Sequence, residues 1–336
     1  MQRPDPGHNP GHSHPAALTV TDPVLLAFAE QVGSESPVTV VGGRTRWDRG
    51  GAVAAGTREV KAPTGVVSYL PEEMIVTVRA GTTVAELQRA LAERGQEVVL
   101  PDPDGAGTAT VGGVLAVGDS GMDRLGNGPL RDAVLQVRYV SAEGRLVTGG
   151  GPTVKNVSGF DLCRLMVGAL GTLGCLAEVV LRTRPIPACS QWWQVEGPDP
   201  VAAFRALYRP RTVLWDGRAV WVCLAGHPRD VADQAAELAR LGSAREVAGP
   251  PPLGAHRWSL DPGEALTTSY PGPAVVEVGV GTAHTTAPQP IHPLPAPLLA
   301  LHHRLKANFD PTGRLNPGRC PWGRASALTF EAEDGA

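Results

Sequence analysis

Cysteine is scarce and unpatterned in this sequence. The five cysteines, at 163, 175, 189, 223 and 320, are scattered, odd in number and without a C-x-x-C pair. That argues against a disulfide framework, a zinc site or an iron–sulfur cluster carried by this chain, and no metal site is expected. Basic excess is missing too: 30 Lys and Arg stand against 33 Asp and Glu, a formal charge of −3, which advertises no surface for nucleic acid. No apolar run nears the roughly 18 residues that suggest a membrane span. Histidine is missing between residues 15 and 226, so an imidazole that takes a proton from a substrate must come from the C-terminal third. Nucleotide signatures fail as well. Gly168, Gly171 and Gly174 have the wrong spacing for G-x-G-x-x-G and precede a strand pattern, and Gly149-Gly150-Gly151 lacks the Gly-Lys-Ser/Thr of a P-loop.

Glycine and proline, by contrast, are plentiful, at 41 and 32 residues of 336. The glycines gather in three segments: Val40-Val-Gly-Gly-Arg-Thr45, residues 107–121 (GTATVGGVLAVGDSG), and residues 149–174 (GGGPTVKNVSGFDLCRLMVGALGTLG). Backbone without Cβ lets something flat or anionic come close to the main chain. Tight packing is the competing reading. The second segment is expected to line a ligand with backbone, since small residues cannot fill a core. Three such segments suggest one extended ligand gripped along its length.

Between and beyond them the patterns indicate an α+β chain. Asp22-Pro23 starts a helix, Val38–Val41 and Met74–Val78 read as strands, and Thr83-Val-Ala-Glu86 is a capping box. Val98–Leu100 and Ala133–Val140 supply further strands; the latter forms a hairpin with Leu146–Thr148, and Leu176–Thr183 alternates like a strand. From Ile186 onward the character changes: tryptophans at 192, 193, 215, 221 and 258 and thickening prolines mark a second, smaller α+β unit. Residues 287–297, with five prolines, read as a linker before a helix over Leu298–Phe309. Met1–Pro15, rich in Pro, Gly and His without an apolar core, is expected to be a disordered tail rather than a secretory signal, and its His8, His12 and His14 offer metal binding only as a rival reading.

The string Val154-Lys-Asn-Val-Ser-Gly-Phe-Asp-Leu162, followed by Arg164-Leu-Met-Val-Gly-Ala-Leu-Gly-Thr-Leu-Gly174, strongly resembles the FAD-binding subunit of bacterial glycolate oxidase, of the vanillyl-alcohol oxidase and p-cresol methylhydroxylase type. Ala109-Thr-Val-Gly-Gly113, Ser120-Gly121, Gly128-Pro-Leu-Arg-Asp132 and Asp310-Pro-Thr-Gly-Arg-Leu-Asn-Pro-Gly-Arg319 extend it over most of residues 37–187 and 297–320. The resemblance implies a two-part FAD-binding domain of the p-cresol methylhydroxylase type with a small α+β cap. The division expected is a tail at 1–16, the FAD-binding domain at 17–187, a reduced cap or substrate domain at 188–290, and a return to the FAD domain at 291–330.

On that resemblance the cofactor contacts are Val41, Gly42, Gly43, Arg44 and Thr45 around the pyrophosphate; Pro101, Ala109, Thr110, Gly112, Gly113, Ser120 and Gly121; Lys155, Asn156, Gly159, Gly174, Glu178 and Val179; and Asn316 with Arg319. Some members of the wider superfamily attach FAD to a histidine in the first glycine loop; none stands in Gly42–Thr45, so non-covalent FAD is expected. Catalytic relatives that oxidise D-2-hydroxy acids carry a His-Glu-His-Gly segment, which is missing here, and Phe160 stands where a tyrosine is usual. The catalytic residues stay open. His284 is one candidate, against a surface-loop histidine, and Lys155 another, against a structural salt bridge. The resemblance implies a larger catalytic flavoprotein and an iron–sulfur subunit as partners and a small hydroxy acid as substrate; the unpatterned cysteines lead to the expectation of a cytoplasmic location, free or peripheral to the membrane through partners. A self-sufficient flavin dehydrogenase and a non-catalytic assembly subunit are the two rivals.

Overall fold

The computed structural model describes residues 22–102, 106–151, 160–290 and 293–321; the expected tail, Lys155, Asn156 and Gly159 lie outside them. Helix α1 (Pro23–Val32) begins as expected, with the Asp22 carboxylate accepting from the amides of Val24 and Leu25, and it buries Leu25, Phe28, Ala29 and Val32. Strands β1 (Val38–Val40) and β2 (Arg58–Val60) pair in parallel. Next come β3 (Val66–Leu70), β4 (Ile75–Arg79), α2 (Val84–Ala92), the short β5 (Gln96–Glu97), α3 (Val111–Val117) and α4 (Arg124–Asn127). Strands β6 (Val134–Val140) and β7 (Leu146–Gly150), helix α5 (Phe160–Met166), and strands β8 (Cys175–Arg182) and β9 (Arg184–Pro185) complete this part.

Five of these strands form an antiparallel sheet in the order β3-β4-β8-β6-β7. One face packs Val76, Val78, Val137, Val179 and Leu181 against Leu87 and Leu91 of α2 and against Val111, Val114 and Leu115 of α3. The other carries Val140 and Ala177 against α1, Val38 and Val60. Leu87 and Leu91 are fully buried, each stabilising by about 1.5–3 kcal/mol relative to exposure. Two expectations need correction. Residues 98–100 are not a strand; pairing occurs one step earlier, where Gln96 and Glu97 meet Pro185 and Arg184. Residues 111–117 are a helix whose apolar side chains do fill core, because Thr110 caps it and turns Val111, Val114 and Leu115 inward.

The second sheet is antiparallel, in the order β13-β10-β12-β11-β15-β16-β14. Its elements run β10 (Cys189–Glu196), α6 (Pro200–Ala206), β11 (Thr212–Trp215), β12 (Ala219–Gly226), α7 (Pro228–Leu241), β13 (Ser243–Val247), β14 (His256–Ser259), α8 (Pro262–Thr267), β15 (Ala274–Glu277) and β16 (Thr282–Thr285). Its outer face packs Val220, Val222 and Leu224 against α6 and α7, and Trp258, Val276 and Ala283 against α8. Strand residues alternate faces, so Arg257, Glu277 and His284 share the opposite face with Thr212. That face meets residues 119–127: Thr212 Oγ1 donates to Asp123, and Arg257 Nη1 lies 3.3 Å from Asp119. After α9 (Ala296–Phe309), Leu315 bridges Val38 in parallel, which brings the C-terminal segment back beside β1.

Candidate functional site

Two abutting cavities, each about 540 Å³, open where the first glycine segment, the start of α3 and the turn before β8 converge. A third, about 260 Å³, continues toward Asp119. Val41, Gly42, Thr110, Gly112, Gly113, Gly174 and Asn316 line the first. Gly42, Gly43, Arg44, Thr45 and Arg319 line the second. Thr45, Pro101 and Gly113 line the third. The three segments thus share one elongated cleft.

The first segment supplies donors. Among the described residues, the backbone amides of Gly42, Gly43, Arg44, Thr45 and Arg46 donate to no protein acceptor, while Val41 before them and Trp47 after them are bonded. Five successive open amides, with Arg44 in the left-handed region at φ 59°, make a concave nest suited to phosphate oxygens. Glycine here also permits close approach: a Cβ on Gly42 would meet Thr110 Oγ1 at 2.3 Å. Arg44 pairs with Glu59 at 2.7 Å and stacks over Trp47, whose ring Arg319 also covers. Burial lowers the Arg319 pKa from its ordinary value, partly offset by Asp48.

The second segment serves differently from the first. The amides of Val111 and Gly112 are taken by the carbonyls of Thr82 and Ala80, and the Gly113 amide by Thr110 Oγ1. Gly112 therefore lets α3 lie against Ala80, where a Cβ would come within 2.9 Å of the carbonyl oxygen. The cleft gains its wall from that close packing. Asn316, at φ 45°, accepts from Thr39 and donates to the Leu170 carbonyl, which ties the C-terminal segment to the third glycine turn.

Five sequence-expected contacts lie elsewhere. Ala109 and Val179 are buried in the core. The Ser120 hydroxyl accepts from the Leu130 amide, and Gly121 packs on Pro101. Glu178 is almost fully buried on the α1 side of the sheet, 2.6 Å from Arg79 and 2.8 Å from Arg138. Arg79 also pairs with Asp22. Several lining residues escaped the sequence: Ala62, Ala80 and Gly81, Ala116, Met166 and Cys175. Only the Ala80-Gly81 turn after β4 carried a readable signal. Burial pushes the Cys175 thiol up to about 12, so it stays an inert thiol.

His284 is not the surface-loop histidine that competed with the catalytic reading. It lies within β16, nearly buried, with Nε2 2.8 Å from Glu277 Oε1. His227 caps α7 through Nδ1, and Arg164 Nη2 lies 3.5 Å from Asp132.

Residues 25–150 match the FAD binding domain family. Together with the donor-rich cleft, that defines the class: a flavoprotein, an FAD-dependent oxidoreductase. Glycolate oxidase subunit GlcE of Escherichia coli (strain K12) is 30% identical over 339 residues, covering 88% of this chain and 96% of that protein. The chain belongs to the family of that subunit, among the flavoproteins of the p-cresol methylhydroxylase type. A D-lactate dehydrogenase of Archaeoglobus fulgidus is 40% identical over 106 residues, 32% of this chain and 24% of that one. The fold is shared with alkyldihydroxyacetonephosphate synthase, at a TM-score of 0.61 and 16% identity over 87% of this chain and 73% of that one. Among the described residues no helix is long and apolar enough to cross a membrane.

Proposed function

We propose that this chain is the FAD-binding subunit of a glycolate-oxidase-like complex that oxidises a small 2-hydroxy acid. The observation that carries the reading is the run of open amides from Gly42 to Arg46 along a cleft shaped by close glycine contacts. The residues present fit the cofactor: a pyrophosphate needs several short-range donors, and residues of all three glycine segments line the adjoining cavities. Val41 to Thr45 and Arg319 would hold the phosphate region; Thr110, Gly112, Gly113, Gly174 and Asn316 would shape the remaining wall. When bound, FAD supplies the two-electron acceptor. Attachment is non-covalent, since no histidine stands in the first loop.

Residues 17–187 and 291–330 serve as the flavin-binding unit and 188–290 as a cap, with a larger flavoprotein and an iron–sulfur subunit as partners. The names of relatives support the substrate class and the subunit role: glycolate oxidase subunits GlcE and GlcD and a D-lactate dehydrogenase. A second reading, that the chain oxidises its substrate unaided, is favoured by the buried His284–Glu277 pair on the cap. The test is purification followed by anaerobic addition of glycolate or D-lactate, alone and with the partner flavoprotein. Yellow protein bleached only in the complex supports the subunit reading, and bleaching of the chain alone supports the second. A colourless chain that refuses FAD overturns both.

A further inference from the structure

A row of charge crosses from the cleft into the second sheet: Arg49, Asp119, Arg257, Glu277 and His284. Its second member is out of keeping with its surroundings. Arg44, Arg46, Arg49 and Arg319 line the second cavity, and Arg46 lines the third as well; among the described residues that line the three cavities, Asp119 is the one acid. It faces the third cavity together with Thr45, whose amide belongs to the open nest. A carboxylate there opposes any anion the nest would take. Local structure does not favour it either. Asp119 follows Gly118 at the C-terminal end of α3, where a negative charge meets the negative end of the helix dipole.

Two arginines from opposite sides hold the carboxylate. Arg49 Nη2 lies 3.3 Å from Asp119 Oδ2, and Arg257 Nη1 lies 3.3 Å from Oδ1. Arg49 belongs to the cleft wall and Arg257 to β14 of the second sheet. Arg257 is fixed within that sheet without help from Asp119: its Nη2 lies 3.8 Å from Glu277 Oε1 and donates to Thr282 Oγ1. The segment after Asp119 is seated in the same sheet. The Gly126 amide donates to the Arg211 carbonyl, Asp123 lies 2.8 Å from Arg211, and Leu125 packs into the apolar cluster of Val213 and Val278. The Asp119 side chain is 29% exposed and that of Arg257 17%, so salt screens the pair less than a surface one. The two arginines compete for one carboxylate, and its sharing depends on where the second sheet sits.

We propose that Asp119 couples the position of the second sheet, the cap of the reading above, to the anion affinity of the cleft. The inference rests on the flavin-binding reading and adds the regulation of that site. With the cap seated, Arg257 neutralises Asp119, and Arg49 is free to turn toward a phosphate beside Arg46 and the nest. With the cap displaced, Asp119 keeps Arg49 and repels the phosphate. Cap seating thus raises the affinity for FAD, and by linkage bound FAD holds the cap down by the same factor. Asp119 acts in this through the two guanidiniums, as a positioning residue.

The test is calorimetry of FAD, riboflavin and inorganic pyrophosphate on the flavin-free full chain. Arg257→Met should weaken FAD and pyrophosphate binding by about 5-fold, the low end of coupling between sites. Asp119→Asn should strengthen both by a similar factor, although it breaks the same ion pair. The double variant should match Asp119→Asn, because Arg257 then has no carboxylate to neutralise. Riboflavin, which lacks the pyrophosphate, should bind all four proteins alike. Hydrogen exchange reads the reverse direction: FAD should slow exchange of the β14 and β16 amides in wild type and much less in Asp119→Asn. An ion pair that only supports the fold would weaken binding in both single variants. Weaker FAD binding by Asp119→Asn, additive losses in the double variant, or exchange at β14 and β16 that ignores FAD in wild type overturns the proposal. If FAD does not bind wild type, the flavin reading falls and the pyrophosphate series decides the coupling. Pyrophosphate affinity that is absent, or unmoved by both substitutions, overturns it.

Discussion

A Cβ placed on Gly43 would lie 1.9 Å from the carbonyl oxygen of Thr108. The obstacle is main chain, which cannot swing aside as a side-chain tip can. The first glycine segment and the strand-like stretch before α3 are therefore in register at the closest approach two backbones allow.

Gly43→Ala should push the amide nest off the 108–110 segment. Overpacking of this kind costs about 1–3 kcal/mol, and its larger effect should be on the cofactor. The variant is expected to lose bound flavin on gel filtration while keeping the circular dichroism of the folded chain. A variant that stays as yellow as wild type would show that this contact does not set the nest.

Glu178 separates structure from cofactor binding. Its carboxylate lies between Arg79 and Arg138 with almost no exposure, so Glu178→Gln leaves guanidinium charge uncompensated, at a cost of about 3–5 kcal/mol. Urea unfolding should show a lower midpoint, and the folded fraction should bind FAD as tightly as wild type. Weakened FAD binding without lost stability would return Glu178 to the cofactor site.

Asp22 should make α1 sensitive to acid. The hydrogen bond from Arg79 is the main cause of its lowered pKa, with the amides of Val24 and Leu25 assisting against desolvation. A carboxyl whose folded pKa lies below its ordinary 3.8 leaves the unfolded chain binding more protons between the two values. The stabilisation is thus complete above the ordinary value and is lost as pH falls through the folded one. Asp22→Asn keeps a capping side chain and removes the charge. Its urea midpoint should trail wild type at about pH 6 and converge with it below about pH 3; a constant gap would contradict the ion-pair origin.

Much of the fold was legible from pattern. The cap at Asp22-Pro23, the Thr83 cap and the hairpin of β6 and β7 all follow from local chemistry that survives packing. Residues 111–117 read from composition as too small to build core, whereas Val111, Val114 and Leu115 are spaced for one buried helix face. The glycine segments identified the cleft, but not which glycines face it. Gly42 borders open amides and Gly112 packs on Ala80, a difference set by which distant segment packs against each and not by local sequence. The charge row was illegible for the same reason: Arg49, Asp119, Arg257, Glu277 and His284 meet only when the two sheets do.

Lys306 holds the third glycine turn. Its ammonium donates to the carbonyls of Thr172 and Leu315 and to Asp310, and burial lowers its pKa against the opposing pull of Asp310. Lys306→Met leaves Asp310 buried without its cation. A loss of about 3 kcal/mol or more in unfolding free energy is expected, with weaker flavin retention because the turn ends at Gly174 on the cavity wall. Unaltered stability would place the support of that turn elsewhere.

The most direct measurement compares FAD with riboflavin, which lacks the pyrophosphate, by calorimetry on flavin-free protein. If the amides of Gly42 to Arg46 hold the phosphates, FAD binds one to one and riboflavin at least about 100-fold more weakly, the loss of two or more charge-assisted hydrogen bonds. Equal affinities for the two would contradict a phosphate nest at the first glycine segment.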